Sequence, residues 1–170
     1  TIGSGVTSIN GWVFENCSGL TGVTIEGGYI NIALGGYGFN GGVNSNSSFI
    51  GMSGGEVRQI YGGAGHSTTQ GNRIINVTGG KVHYSVLGGS DSYSSSDTTD
   101  GIVQGSTLIY IGGDAVIGDE TDSLYGVESG SVFGAGGGNT SSTSKGTVYN
   151  SRIIVNGATI NKSVYGGGNY

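Results

Sequence analysis

Asn72 to Ser90 reads NRIINVTGGKVHYSVLGGS, and the fold turns on how this stretch is read. Ile74, Ile75 and Val77 are β-branched, and Gly79–Gly80 turns the chain after them. Val82 and Val86 carry a second short strand, which Leu87 ends before Gly88–Gly89. Branched side chains are stiff at χ1 and pack well on a pleated surface, while paired glycines supply the backbone freedom of a tight corner. The unit is two strands, each closed by glycine.

Variants of the unit recur along the chain. Its first half returns as VTIEGG (23–28), FIGMSGG (49–55), RIINVTGG (73–80), TLIYIGG (107–113) and RIIVNGA (152–158). Its second half returns as YINIALGG (29–36), EVRQIYGG (56–63), KVHYSVLGG (81–89), SGSVFGAGGG (129–138) and TINKSVYGGG (159–168). Polar loops lie between, such as GHSTTQGN (65–72), SDSYSSSDTTDG (90–101) and NTSSTSKG (139–146). The residues before the closing glycines are Leu34, Tyr61, Leu87, Phe133 and Tyr165, separated by 27, 26, 46 and 32 positions. The long interval reflects an insertion within Ile117 to Ser129.

Constant strands with variable loops are the signature of stacked repeats. One unit cannot bury its apolar face alone, but coils stacked about 4.8 Å apart pair every strand with its neighbours. The expectation is an all-β fold, a parallel β-helix or β-solenoid of about five or six coils with Gly-rich turns. Leu34, Tyr61, Leu87, Phe133 and Tyr165 are expected to form a stacking ladder along its axis, and Val57, Val82 and Ile160 a second one inside. Proline is absent, so every backbone N–H remains available to the ladder.

Composition narrows the function classes. Glycine is 39 of 170 residues, against an ordinary usage of about 7%. These glycines are periodic and have apolar β-branched residues between them, which argues against a disordered linker. No strict G-X-Y triplet occurs, which excludes collagen. Net charge is −5 and the six Lys and Arg are scattered, so no basic patch for nucleic acid is expected. No apolar run approaches the roughly 20 residues of a membrane-spanning helix. Cys17 is the single cysteine and is expected to be a small buried hydrophobe. The chain starts at Thr1 without Met, which suggests a mature piece or an excised segment.

Residues 1–25, TIGSGVTSINGWVFENCSGLTGVTI, differ from the Gly-rich remainder of the chain. Val6, Thr7, Ser8, Ile9, Phe14, Cys17, Leu20, Val23, Thr24 and Ile25 fall at the intervals of "VTSIGxxAFxxCxxLxxVTI". The segment thereby resembles one BspA-type leucine-rich repeat. It departs in being a single unit and in carrying Glu26–Gly27 where that family has Pro after the strand. The resemblance implies a bacterial or protist surface protein with stacked strands. Residues 26–170 resemble the Gly-rich "VYGGG" strand repeats of large, adhesin-like bacterial surface proteins. The implied organisation is a leucine-rich-repeat-like coil or cap over 1–25 and one continuous Gly-rich domain over 26–170.

Candidate chemistry is sparse. Asp114, Asp119, Glu120 and Asp122 cluster, and Asp91, Asp97 and Asp100 precede them. A glycosidase needs two opposed carboxyls, and calcium needs hard oxygen ligands. The spacing fits neither an EF-hand loop nor a Gly-Asp nonapeptide repeat, and blocks of like charge usually face water. Asp114, Asp119, Glu120 and Asp122 stand as weak calcium candidates within a solvated acidic loop, and no cofactor is expected. His66 and His83 have no Cys or carboxylate at a motif spacing, and the GGG runs lack the Lys-Ser/Thr of a phosphate loop. The tyrosines suit stacking between coils better than ligand platforms. The functional expectation is a non-enzymatic, extracellular or cell-surface structural protein. It would associate with itself head to tail into a filament or stalk. The alternatives are a monomeric surface adhesin that binds a host glycan or protein and, behind it, a polysaccharide-acting β-helix enzyme.

Overall fold

The first half of each unit enters one sheet and the second half enters another. In the computed structural model, the residues described are 1–9, 21–36, 46–65, 68–91, 101–118, 130–137 and 146–169. Among them there is no helix. The strands are β1 (Ser8–Ile9), β2 (Gly22–Ile25), β3 (Tyr29–Leu34), β4 (Ser48–Met52), β5 (Glu56–Tyr61), β6 (Arg73–Val77), β7 (Lys81–Val82) and β8 (Ser85–Leu87). They continue with β9 (Val103–Gly112), β10 (Val116–Ile117), β11 (Ser131–Phe133), β12 (Val148–Asn156), β13 (Thr159–Ile160) and β14 (Val164–Tyr165). The protein is all-β, and the strand pairings are parallel.

One sheet has five strands in the order β12-β9-β6-β4-β2. The other runs from β1 through β3 to β5 and then continues as two short strands per level, β7-β10-β13 beside β8-β11-β14. The chain alternates between the sheets, so each strand lies against its counterparts one unit earlier and one unit later. We call one such level, spanning both sheets, a rung. Residues 1–9 obey the same rule, because Ile2 bridges Ile25 and β1 pairs with β3. Phe14, Cys17 and Leu20, which carry much of the leucine-rich-repeat resemblance, lie outside the described residues.

Parallel register stacks chemically similar residues. In the five-stranded sheet, Val23, Ile50, Ile75, Ile109 and Ile153 are successive partners, as are Ile25, Met52, Val77, Ile111 and Val155. In the other sheet Ile30, Val57, Val82, Ile117 and Ile160 form one inner column. Ala33, Ile60, Val86, Val132 and Val164 form another. The buried members of these columns make one continuous core between the sheets. Ile117 belongs to strand β10 in this core, so the long insertion after it interrupts the rung between β10 and β11. The sequence reading assigns Ile117 to the insertion because the second half of a unit is recognised there by its closing glycine run, and at this level the insertion separates β10 from that run.

Glycine corners recur from rung to rung among the described residues. Where the chain leaves the five-stranded sheet, Gly28, Gly55 and Gly80 have φ of 76°, 77° and 80°, a region that side chains other than glycine's rarely enter. At the far end of the second sheet the constraint is space. Gly35, Gly62, Gly88 and Gly134 donate N–H bonds to the carbonyls of Tyr61, Leu87, Phe133 and Tyr165 in the next rung, at 2.8–2.9 Å. A Cβ on Gly35, Gly62, Gly88 or Gly134 would overlap the carbonyl oxygen of Gly62, Gly88, Gly134 or Gly166, respectively. Gly166, in the last described rung, has nothing within 4 Å of that position.

This column supplies its own control. Gly62→Ala and Gly88→Ala should each cost about 2–3 kcal/mol through overpacking, whereas Gly166→Ala should stay within about 0.5 kcal/mol of the native chain. Urea unfolding of the three variants measures the difference, and equal losses at all three positions would contradict the steric account.

Candidate functional site

The glycine corner is lined by a polar column from the five-stranded sheet. Ser48, Arg73, Thr107 and Ser151 are successive register partners. Ser48, Thr107 and Ser151 direct their hydroxyls to the glycine carbonyls of the other sheet. The Ser48 hydroxyl donates to the Gly62 carbonyl at 3.2 Å. Thr107 donates to the Gly134 carbonyl and Ser151 to the Gly166 carbonyl in the same manner. The Ser48 and Thr107 hydroxyls each satisfy an acceptor that would otherwise be buried without a partner, a loss that costs about 1–3 kcal/mol.

Arg73 interrupts the hydroxyl pattern. Its side chain is fully buried. One terminal nitrogen donates to the Ser48 hydroxyl at 3.0 Å and the other to the Gln70 carbonyl. Its Nε and the Thr69 Oγ1 are the two buried side-chain polar atoms without a hydrogen-bond partner among the described residues. Burial lowers the guanidinium from the ordinary 12.5 to about 10, so it stays charged at neutral pH. A buried charge held by neutral acceptors is an energetic weak point, because desolvation is only partly offset.

The expected ladder residues lie on the opposite face of their strands from the main core. Leu34 pairs with Tyr61, Tyr61 with Leu87, Leu87 with Phe133, and Phe133 with Tyr165. Tyr61, Leu87 and Phe133 form a separate buried cluster, against which Ile32 and Leu34 pack. The Phe133 and Tyr165 rings stack with centroids 4.9 Å apart and planes 7° from parallel. Burial, the adjacent Asp91 charge and a hydrogen bond to that carboxylate together hold the Tyr61 phenol far above the ordinary tyrosine range.

Most of the other singled-out residues fall outside the described part of the chain. Asp114 is exposed in the turn after β9, and Asp119, Glu120, Asp122, Asp97, Asp100 and His66 lie outside the described residues. Among the described residues, no group of three or more His, Cys, Asp or Glu could hold a metal ion. His83 meets Glu56 at 2.8 Å on the outer surface and lies near the Tyr29 ring, with centroids 6.2 Å apart. The sequence reading found no carboxylate for His83 because Glu56 lies 27 positions away and one rung below. Tyr149 is exposed, whereas Tyr29, Tyr84 and Tyr110 are half-buried. No helix of the described residues is long and apolar enough to cross a membrane. The polar column has no motif in the sequence, since its members share only a place in the register.

No family model matches the chain, and neither does any curated protein or solved structure.

Two consequences can be measured. Tyr61 keeps its proton in the folded state above pH 10, where the unfolded chain releases it, so stability falls as pH rises past that point. Tyr61→Phe should cost about 1 kcal/mol at neutral pH and flatten this alkaline loss, as read by denaturant midpoints from pH 8 to about 11. Arg73 has the opposite sign, because its depressed folded value imposes a full penalty below pH 10 that shrinks toward 12.5. Arg73→Met keeps side-chain bulk without charge and should be neutral or stabilising by about 1–2 kcal/mol. A loss of several kcal/mol would show that the guanidinium is properly compensated.

Proposed function

We propose that this chain is an extracellular structural repeat protein. In this reading it is a parallel β-solenoid of six coils, Ile2 with β1 through β12 with β14, and it lengthens by stacking end to end. One observation carries the reading. The rung of β12, β13 and β14 repeats the interior chemistry of the rungs beneath it, and no described residue covers its outer side. Val155, Val164 and Tyr165 are 44%, 47% and 45% exposed, while their register partners Ile111, Val132 and Phe133 are at most 2% exposed. An edge strand with unpaired N–H and C=O groups is a template for another strand.

In this reading a second copy supplies the covering rung. Such a head-to-tail contact does not close on itself and produces an open filament or stalk. The resemblance of the Gly-rich units to surface-protein repeats supports a location outside the cell.

Gly166 provides the test. In every inner rung a Cβ at this column position would strike the next rung's carbonyl, whereas at Gly166 it meets nothing. Gly166→Ala should therefore leave the thermal midpoint unchanged and abolish end-to-end association. Electron microscopy and sedimentation of the native chain over a wide concentration range should reveal growing assemblies that are absent in the variant. A native chain that stays unassembled at all concentrations, or assembly that ignores Gly166→Ala, overturns the proposal.

A further inference from the structure

The outer face of the five-stranded sheet carries two rows of side chains, one residue per rung. The first is Gly22, Phe49, Ile74, Leu108 and Arg152. The second is Thr24, Gly51, Asn76, Tyr110 and Ile154. Phe49, Ile74 and Leu108 are 37%, 38% and 37% exposed and stand in line on the inner strands of the sheet. The Phe49 ring lies over Gly51, where a Cβ would come within 2.8 Å of it, and the Tyr110 ring lies over Gly112 in the same way. The rings therefore lie along the face and keep it flat. Arg152 is the single charged side chain in the two rows, in a chain with six Lys and Arg and eleven Asp and Glu. A contiguous, nearly uncharged apolar strip of this kind marks a contact surface.

The two rows also identify the occupant. When a second copy is laid face to face with its rungs in reverse order, Arg152 falls opposite Gly22, Phe49 opposite Leu108, and Ile74 opposite itself. In the second row Tyr110 falls opposite Gly51, Ile154 opposite Thr24, and Asn76 opposite itself. Large residues meet glycines twice, apolar residues meet apolar ones, and two carboxamides at the centre can donate to and accept from each other. With the rungs in the same order the two-fold runs along the stack and sets the first row against the second, so Arg152 faces Ile154 and Ile74 faces Asn76. That arrangement sets the Arg152 guanidinium and the Asn76 carboxamide against aliphatic side chains, where neither gains a partner from the other copy.

We propose that this face is a two-fold interface between copies of this chain, with reversed rung order and the axis passing between the Ile74 and Asn76 pairs. A two-fold contact must be self-complementary, and the reversed rows are. Sheets packed in this way lie about 10 Å apart. The inference is independent of end-to-end stacking, which uses the strand edges rather than the sheet face.

The test uses the full chain carrying Gly166→Ala, so that axial association is absent. Sedimentation equilibrium should find a dimer. Adding Ile74→Lys brings two ammonium groups together on the axis and should weaken association at least about tenfold, with the thermal midpoint unchanged. In a Cys17→Ser background, Thr24→Cys and Ile154→Cys chains should be joined by a short bis-maleimide only when mixed. A disulfide cannot span sheets at this separation, and like residues sit four rungs apart. A monomeric Gly166→Ala chain, a dimer that tolerates Ile74→Lys, or crosslinks between identical variants would overturn the interface. If end-to-end stacking alone is wrong, native and Gly166→Ala chains give the same dimer and this result stands.

Discussion

The rung-to-rung parallel hydrogen-bond register is the constraint on which the structure depends. Strands about 4.8 Å apart in parallel, in-register alignment bring each residue against its equivalent in the next unit. Whatever occupies a position must therefore be tolerable against its own kind. Branched aliphatic residues meet this condition in the core, and the columns from Ile30 to Ile160 and from Val23 to Ile153 consist of them. Glycine meets it at the corners, where Gly62 and Gly88 leave no room for a Cβ beneath the following carbonyl. The high glycine content arises from this repeated steric demand.

The same constraint explains the chemistry of the polar column. A corner carbonyl turned inward needs a donor, and the hydroxyl column of the five-stranded sheet is the nearest source. Ser48, Thr107 and Ser151 provide it with short side chains that leave the glycine path undisturbed. Arg73 reaches past the corner instead, to the Ser48 hydroxyl and the Gln70 carbonyl. It thereby ties the segment that enters its strand to the rung below, at the cost of a buried charge. Tyr61 serves as a second tie, joining the buried ladder cluster to Asp91 just past the glycine corner. Both devices fasten polar segments to an apolar stack, a role that suits a chain whose proposed function lies in its stacking.

Legibility in the sequence tracked local chemistry. The strand units were readable because β-branched runs and glycine pairs are short-range signals, as in RIINVTGG (73–80). The names of the ladder residues, Leu34 through Tyr165, were readable because each precedes a glycine run. Strand β10 was not, because the long insertion separates it from the glycine run that marks the other second halves. The pairing of His83 with Glu56 and the alignment of Ser48, Arg73, Thr107 and Ser151 were equally hidden, since loops of unequal length separate the partners. The acidic cluster drew attention as a calcium candidate through proximity in sequence alone. Its one described member, Asp114, is exposed in a turn.

The sequence by itself determined the all-β class and the parallel pairing of repeated strands, because periodic branched residues, corner glycines and missing proline leave few other ways to satisfy the backbone. Only the tertiary structure decided the register, and with it the buried Arg73, the hydroxyl column and the reversed symmetry of Gly22 through Arg152. These depend on which rung each residue occupies. Loop lengths vary freely between rungs at little energetic cost, so positions in the chain do not count out positions in the stack.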